Sequence, residues 1–237
     1  MCSFKKIGVV VADADEYRPL AFAVKGFKSA DYSGIGIKGV RFFCGNAEIV
    51  CLHSGIGKVN AACAAAHLID CGCELILNFG LSGGISGVRR GEIVLPEKFL
   101  EHDFDLTGIG YKPCEKPGQK YIYDADSFVR VKLSEALKTS LGGTAVCGDR
   151  FVCDDGYRIF LRDTFGAVSC DMETGAIAAV CDKSGIPFAS IRRISDDAGS
   201  DSYSSYTEMN TNEGASLTEI FLCGLRAVCG GNGEYNV

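Results

Sequence analysis

The sequence predicts an α/β protein, a three-layer αβα sandwich with a central, mostly parallel (mixed) sheet. β-branched apolar runs alternate with stretches of helical length along the 237 residues, a pattern typical of strands packed between two layers of helices. Hydrophobic residues make up 47% of the chain, enough for a packed core. Because neither an internal repeat nor a linker interrupts the pattern, we expect a single domain over residues 1–237.

Each element follows from the spacing of apolar residues and from the residues that bound it. In the first half we predict a strand at 6–12, a helix that begins in the acidic stretch 13–16, one or two strands at 41–52, an alanine-rich helix at 60–71 and a strand at 74–79. In the second half we predict a strand at 91–95, a less regular region at 103–146 with one helix near 127–141, a strand at 165–169, a helix at 172–184, a strand at 189–194 and a closing helix at 213–229.

Charge and hydropathy exclude several classes of function. The net charge is −6 and no basic run exceeds two residues, so we expect no nucleic-acid partner. The apolar runs 7–12, 61–68 and 75–79 are much shorter than the roughly 18 to 20 residues of a membrane span, so we expect no membrane partner. The N-terminus leads directly into a strand and does not look like a signal peptide, so we expect a cytoplasmic protein.

The cysteines and histidines do not have the spacing of a metal site. There are thirteen cysteines and three histidines, and no Cys-x-x-Cys pair occurs. We therefore expect no metal and no cofactor. Most of the cysteines lie in apolar segments and are predicted to be buried thiols, as in Cys51, Cys63, Cys170, Cys181 and Cys223.

Two carboxylates mark the predicted site. Glu173 lies at the start of a small-residue helix, and Asp196 ends the strand that follows, next to Ser195. Ligands of α/β proteins bind at the carboxyl ends of the strands, where one carboxylate can hold a substrate while another transfers a proton. Each also has a structural alternative, because Glu173 can act as a favourable charge at a helix N-terminus and Asp196 as a cap.

Two glycine-rich segments precede or follow predicted elements. Gly55-Ile56-Gly57 leads into a helix but lacks the third glycine of a dinucleotide fingerprint, so a structural turn is the favoured interpretation. The segment 80–84 follows the most apolar strand, where glycines let a ligand approach the backbone closely. A tight strand exit is the alternative interpretation of this second segment.

Several short motifs also follow one another in a fixed order. They are residues 7–8, 15–16, Ser54-Gly55-Ile56-Gly57-Lys58-Val59, Asn78-Phe79-Gly80-Leu81-Ser82-Gly83-Gly84, 91–94, 102–103, 148–152, Asp171-Met172-Glu173 and Arg192-Arg193-Ile194-Ser195-Asp196. In this order the motifs resemble the methylthioadenosine/S-adenosylhomocysteine nucleosidases of the nucleoside phosphorylase superfamily. The resemblance extends over about residues 5–225.

The resemblance implies hydrolysis of the N-glycosidic bond of adenine nucleosides, with a role for each matching residue. Asp196 would protonate purine N7 as adenine leaves, Glu173 would bind the ribose 2′- and 3′-hydroxyls, and Glu16 would activate the attacking water. The other implied site residues are Arg192 near that water, Met172 on the sugar, Phe151 stacked on the base, Val152 at the edge of the base, Ser82, Gly83 and Ser195 along the strand ends, and Ile56, Leu106, Ile109 and Tyr206 around the 5′ substituent. In that family the segment matching 106–111 reaches the site of the other subunit, which implies a homodimer.

Three positions depart from the family pattern. Leu81 stands where the family usually has serine, Arg193 replaces a small residue, and Asp13 stands where an apolar residue faces the 5′-alkylthio group. These departures therefore also allow a substrate whose 5′ group is polar or unsubstituted. Two alternative functions also remain open, a phosphate-dependent purine nucleoside phosphorylase and a catalytically silent nucleoside-binding protein. The acidic residues 13–16 disfavour the phosphorylase, because phosphorylases place arginine in this loop.

Overall fold

A computed structural model of the protein describes residues 4–199, 202–212 and 214–230, and a mixed sheet lies at its centre. The strands are β1 (Lys6–Val11), β2 (Ala30–Gly34), β3 (Ile37–Cys44), β4 (Ala47–His53), β5 (Leu75–Gly84), β6 (Ile93–Val94), β7 (Lys98–Glu101), β8 (Ile122–Asp124), β9 (Thr144–Cys147), β10 (Ala167–Asp171) and β11 (Phe188–Asp196). The helices are α1 (Ala14–Ala23), α2 (Lys58–Asp70), α3 (Ser127–Leu137), α4 (Asp155–Phe165), α5 (Thr174–Ser184), α6 (Ser202–Asn212) and α7 (Gly214–Cys229).

Helices cover both faces of the sheet, so the predicted three-layer class is confirmed. One hydrophobic cluster joins β1, β3, β4 and β5 to apolar residues of α1, α3, α6 and α7. A second cluster on the opposite face joins the sheet to α2 and α5. None of the helices in the described part of the chain is long and apolar enough to cross a membrane.

The sheet order is β2-β3-β4-β1-β5-β10-β9-β7-β8, and β11 pairs with β5 and with β6. The pairs β1–β4, β1–β5, β5–β11, β9–β10 and β7–β9 are parallel, and the pairs β2–β3, β3–β4, β7–β8, β6–β11 and β5–β10 are antiparallel. The sheet is therefore mixed, and one short antiparallel pair, β5–β10, lies among the parallel strands at its centre.

Strand β5 positions the site, because it changes neighbours along its length. Its first residues lie between β1 and β11, and its last residues, Gly83 and Gly84, pair antiparallel with β10. As a result, the carboxyl ends of β1, β10 and β11 surround the end of β5. The sequence analysis placed 80–84 after the strand, with a tight exit as one interpretation, but these residues continue β5. They pair with β11 as far as Gly83, with a shift of register between Ser82 and Gly83.

The structure corrects other local predictions. Strands β2, β7, β8 and β9 and helices α4 and α6 were not predicted individually, and helix α5 begins at Thr174 rather than at 172. The first residue of the predicted closing helix, Glu213, lies outside the described residues. Cys51, Cys170 and Cys181 are buried, as expected, but the prediction was wrong for Cys63 and Cys223, which lie on the outer faces of α2 and α7.

Candidate active site

A cavity of about 350 Å³ opens at the carboxyl ends of β1, β5, β10 and β11. Parallel strands end at the same edge of a sheet, which is where α/β proteins bind ligands. The residues that line the cavity are Ala12, Asp13, Glu16, Ile56, Leu81, Ser82, Gly83, Arg150, Phe151, Val152, Cys170, Asp171, Met172, Glu173, Arg192, Ser195, Asp196 and Tyr206.

Arg192 lies on β11 beneath this cavity and is only 2% exposed. Its Nη1 donates to the backbone oxygen of Leu81 at 3.1 Å, and its Nη2 donates to Asn78 Oδ1. The same Nη2 also forms ion pairs with two carboxylates, at 3.6 Å from Asp171 Oδ1 and 3.6 Å from Glu173 Oε2. Burial lowers the pKa of Arg192, but the neighbouring carboxylates outweigh this effect and raise the pKa above its ordinary value. The guanidinium group is therefore a fixed positive charge held by groups of the protein itself.

Glu16 reaches the cavity from the first turns of α1 and is 5% exposed. Its Oε1 accepts a hydrogen bond from the backbone N–H of Leu81 at 2.7 Å. Burial is the main cause that raises the pKa of Glu16 to about 8, against the lowering effects of the Leu81 hydrogen bond and of Arg192. A carboxyl with such a pKa is matched to proton transfer near neutral pH.

Gly80 explains how Glu16 and Arg192 can approach each other on one face of β5. A Cβ atom at position 80 would lie 2.7 Å from Arg192 Nη1 and 2.7 Å from Glu16 Oε2. Only glycine leaves room for both side chains at this point of the strand. The residue thus makes room for the packing of these two side chains.

Glu173 is held between two loops at the N-terminus of α5. Its Oε1 accepts from the backbone N–H of Gly57 at 3.1 Å. Asp171 accepts from the backbone N–H groups of Glu173 and Thr174 and from the Thr174 hydroxyl, which fixes this turn. Burial raises the pKa of Glu173, although the charge of Arg192 acts in the opposite direction. A buried carboxylate with a free lone pair is suited to accept hydrogen bonds from ligand hydroxyls.

Asp196 ends β11 and is 4% exposed. Its Oδ2 accepts from the Ser195 hydroxyl at 2.6 Å, and its Oδ1 accepts from the backbone N–H of Ala198 at 2.8 Å. The side chain of Ser195 therefore orients Asp196. The Ala198 bond closes a local turn and does not cap a helix, because the next helix, α6, begins only at Ser202. The cap interpretation of Asp196 was therefore wrong.

Asp13, Tyr206 and Phe151 border another part of the cavity. Asp13 is the N-cap of α1, where its Oδ1 accepts from the backbone N–H of Asp15. Its Oδ2 accepts from the Tyr206 hydroxyl at 3.2 Å, and the Tyr206 ring packs edge-on against Phe151 with centroids 5.6 Å apart. Asp13 thus caps a helix and lines the cavity at once.

Comparisons with known proteins agree with this geometry. Residues 6–224 match the family model of the phosphorylase superfamily. A 5′-methylthioadenosine/S-adenosylhomocysteine nucleosidase of Tolumonas auensis is 31% identical over 214 residues, 86% of this chain and 91% of that protein. The nucleosidase of the same name from a Geobacillus species is 34% identical over 171 residues, 68% of this chain and 73% of that protein.

The chain belongs to the methylthioadenosine/S-adenosylhomocysteine nucleosidase family. A solved structure of such a nucleosidase from S. pneumoniae, bound to the transition-state inhibitor MT-ImmA, superposes with a TM-score of 0.85. It is 26% identical in sequence, and the match covers 94% of this chain and 99% of that chain. The family expectation of the sequence analysis is confirmed.

The cavity brings together most of the residues predicted for this nucleosidase family, but not all. Leu106 and Ile109 are absent from its lining, and Ile109 is 72% exposed on the surface. Ser82 lines the cavity, yet its hydroxyl is buried with no hydrogen-bond partner among the described residues. The remaining predicted residues line it, namely Asp13, Glu16, Ile56, Gly83, Phe151, Val152, Met172, Glu173, Arg192, Ser195, Asp196 and Tyr206.

Sequence reasoning missed three polar residues that organise the site. Asp171 caps α5 and faces Arg192, Asn78 accepts from Arg192 in the middle of β5, and Arg150 stacks over the Tyr157 ring at 3.8 Å. A polar asparagine within the apolar run 75–79 was the available signal for Asn78. Among the described residues, no group of three or more His, Cys, Asp or Glu side chains is arranged to hold a metal ion.

Proposed function

We propose that the protein hydrolyses the N-glycosidic bond of adenine nucleosides of the 5′-methylthioadenosine and S-adenosylhomocysteine type, releasing adenine and a ribose derivative. The observation that carries the proposal is the convergence of three buried carboxylates, Glu16, Glu173 and Asp196, on one cavity. The names of the relatives, which are nucleosidases of this type, support the same reaction.

Each of the three carboxylates has a separate role in the reaction. Asp196 donates a proton to N7 of the purine, so that adenine does not have to leave as an anion. Glu173 accepts hydrogen bonds from the 2′- and 3′-hydroxyls, and Met172 packs on the sugar. Glu16, beside the fixed charge of Arg192, takes a proton from the attacking water. Phe151 stacks on the base, and the backbone of Val152 contacts the edge of the base.

The charge distribution around the cavity favours water over phosphate as the nucleophile. Of the two cationic side chains in the described lining, Arg192 is bound to carboxylates and Arg150 stacks over Tyr157. A carboxylate about 4 Å from a phosphate charge costs on the order of 4 kcal/mol at an effective dielectric constant near 20. In its ionised form, the form that can take a proton from water, Glu16 therefore disfavours a bound phosphate.

The N-terminus of α2 does not offer a phosphate site either. The backbone N–H groups of Gly57 and Lys58, the first donors of this helix, are taken by the carboxylates of Glu173 and Asp149. Free N–H groups at a helix N-terminus are what an anion needs. This use of the glycine-containing turn supports a nucleosidase rather than a phosphorylase.

We further infer a cytoplasmic homodimer with a place in methionine salvage. Leu106 and Ile109 contribute to the 5′ pocket of the partner subunit, while Ile56, Tyr206 and Asp13 border the 5′ pocket within the chain. The exposure of the large apolar side chains of Ile109 (72%) and Val59 (79%) in the single chain supports their burial against a partner subunit.

A product assay tests the proposal. Purified protein is incubated with 5′-methylthioadenosine, S-adenosylhomocysteine and adenosine, with and without phosphate, and the base and sugar products are separated. We expect adenine and the free sugar at a rate that phosphate does not change. A sugar 1-phosphate formed only with phosphate would identify a phosphorylase, and nucleoside binding without turnover would identify a silent binder. Asp196→Asn is the matched control against a contaminating activity.

A further inference from the structure

A closed ring of three hydrogen bonds joins two loops beside the cavity. Lys58 donates its backbone N–H to Asp149 Oδ1 at 2.8 Å, and Asp149 donates its backbone N–H to Asp103 Oδ2 at 2.9 Å. Lys58 Nζ then closes the ring by donating to Asp103 Oδ1 at 2.6 Å. The three residues lie outside the lining of the cavity.

Neighbouring charges hold the ring in one arrangement. Lys58 Nζ also lies 3.2 Å from Glu101 Oε2, and Glu101 pairs in turn with Lys116. The side chains of Lys58 and Asp103 are 19% and 27% exposed, so salt screens their pair less than an exposed pair. Burial raises the pKa of Asp103, but the hydrogen bonds from Lys58 and Asp149 outweigh it and lower the pKa, so the group is a carboxylate at neutral pH.

The ring fixes the peptide that holds Glu173. Gly57, which precedes Lys58, donates its N–H to Glu173 Oε1 at 3.1 Å. Gly57 has a φ of +99°, and a Cβ atom there would lie 2.9 Å from Asp149 Oδ1. Asp149 therefore packs directly against the turn whose N–H orients Glu173. In the chain, Asp149 is followed two residues later by Phe151, which also lines the cavity.

We propose that Lys58, Asp103 and Asp149 are positioning residues that couple the ribose-binding carboxylate to the loop that carries the base-stacking aromatic residue. The inference rests on the proposed function, since it concerns recognition of a nucleoside in this cavity. When the ring is opened, Gly57 loses its fixed position relative to Glu173. The ribose is then bound less well, because a misplacement of about 1 Å in a positioned group can lower a rate by about 10²-fold.

The test compares Asp103→Ala with the wild type on adenosine and 2′-deoxyadenosine. We expect kcat/KM to fall roughly tenfold or more for adenosine and much less for 2′-deoxyadenosine, because the deoxy sugar lacks one of the hydroxyls that Glu173 binds. Asp103→Asn keeps an acceptor for the Asp149 N–H but loses the charge that pairs with Lys58. Its kcat/KM for adenosine should therefore lie between those of the wild type and Asp103→Ala. Asp70→Ala, at the opposite end of α2, is the matched control and should behave as wild type.

A second readout separates this inference from the proposed function. On the Asp196→Asn background, the Kd values of the two nucleosides are measured by calorimetry with and without Asp103→Ala. A wild type that releases no adenine would overturn the proposed function, while the ratio of Kd values still tests the ring. If Asp103→Ala fails to fold, Asp103→Asn carries the comparison. If the ratio of the Kd values for adenosine and 2′-deoxyadenosine does not change when the ring is opened, the positioning role is overturned.

Discussion

Glu16→Gln should stabilise the protein at alkaline pH while it removes activity. The amide has the size of the carboxyl group and, like the protonated acid, can accept the Leu81 N–H and donate a hydrogen bond. Unlike Glu16, it cannot ionise, and it cannot take a proton from water. The substitution therefore isolates the free energy of charging this buried group from the rest of the site.

The magnitude follows from the shift in the pKa of Glu16 from 4.5 to about 8, for which burial is the main cause. A carboxyl whose pKa is raised by folding contributes stability that is fully present below the pKa of the unfolded chain and is lost as pH rises through the folded value. Between pH 5 and pH 8 the wild type should therefore lose about 3 kcal/mol that Glu16→Gln retains. In a chain of this size, that difference corresponds to roughly 6 to 12 °C in Tm.

The assay is thermal unfolding of both proteins from pH 5 to pH 8, with Glu219→Gln on the exposed face of α7 as the control. Other titrating groups are common to the proteins, so they cancel in the comparison. The gap in Tm between Glu16→Gln and wild type should widen as pH rises, while the Glu219→Gln gap stays constant. In the wild type, kcat/KM should rise with pH up to about 8 as Glu16 deprotonates. A gap that is the same at every pH would refute a raised pKa for Glu16.

Three further predictions concern the substrate. Asp196→Asn should lower kcat by about 10²- to 10⁴-fold on adenine nucleosides, as for other general acids, and a wild-type kcat would exclude the protonating role. Glu173→Gln should impair adenosine far more than 2′-deoxyadenosine, because charge-assisted bonds to the hydroxyls are lost, and equal losses would reject ribose recognition. Asp13→Met should shift the ratio of kcat/KM towards 5′-methylthioadenosine over adenosine, since a partly buried carboxylate disfavours an alkylthio group beside it. Asp13→Asn, which can still cap α1, shows whether any change comes from the cap, and an unchanged ratio in both variants would leave Asp13 as a cap alone.

The sequence by itself determined the class of the fold and the chemistry-bearing carboxylates. Alternating apolar runs and helical stretches depend on local spacing, so the sandwich was predictable before any contact was known. Asp196 and Glu173 were also predictable, because each stands at the end of an element where a parallel sheet opens to ligands. Their order along the chain, together with the surrounding motifs, was enough to indicate the nucleosidase family.

Only the tertiary structure decided which groups meet in the cavity and what each is bound to. Glu16 and Arg192 are separated by 176 positions in the chain, and they approach each other only because Gly80 leaves space between them. The glycine-rich segment 80–84 has no local signal that distinguishes a turn from a strand, and pairing with β11 made it a strand. The pKa of Glu16 likewise depends on burial and on its neighbours, which are long-range properties that no local pattern encodes.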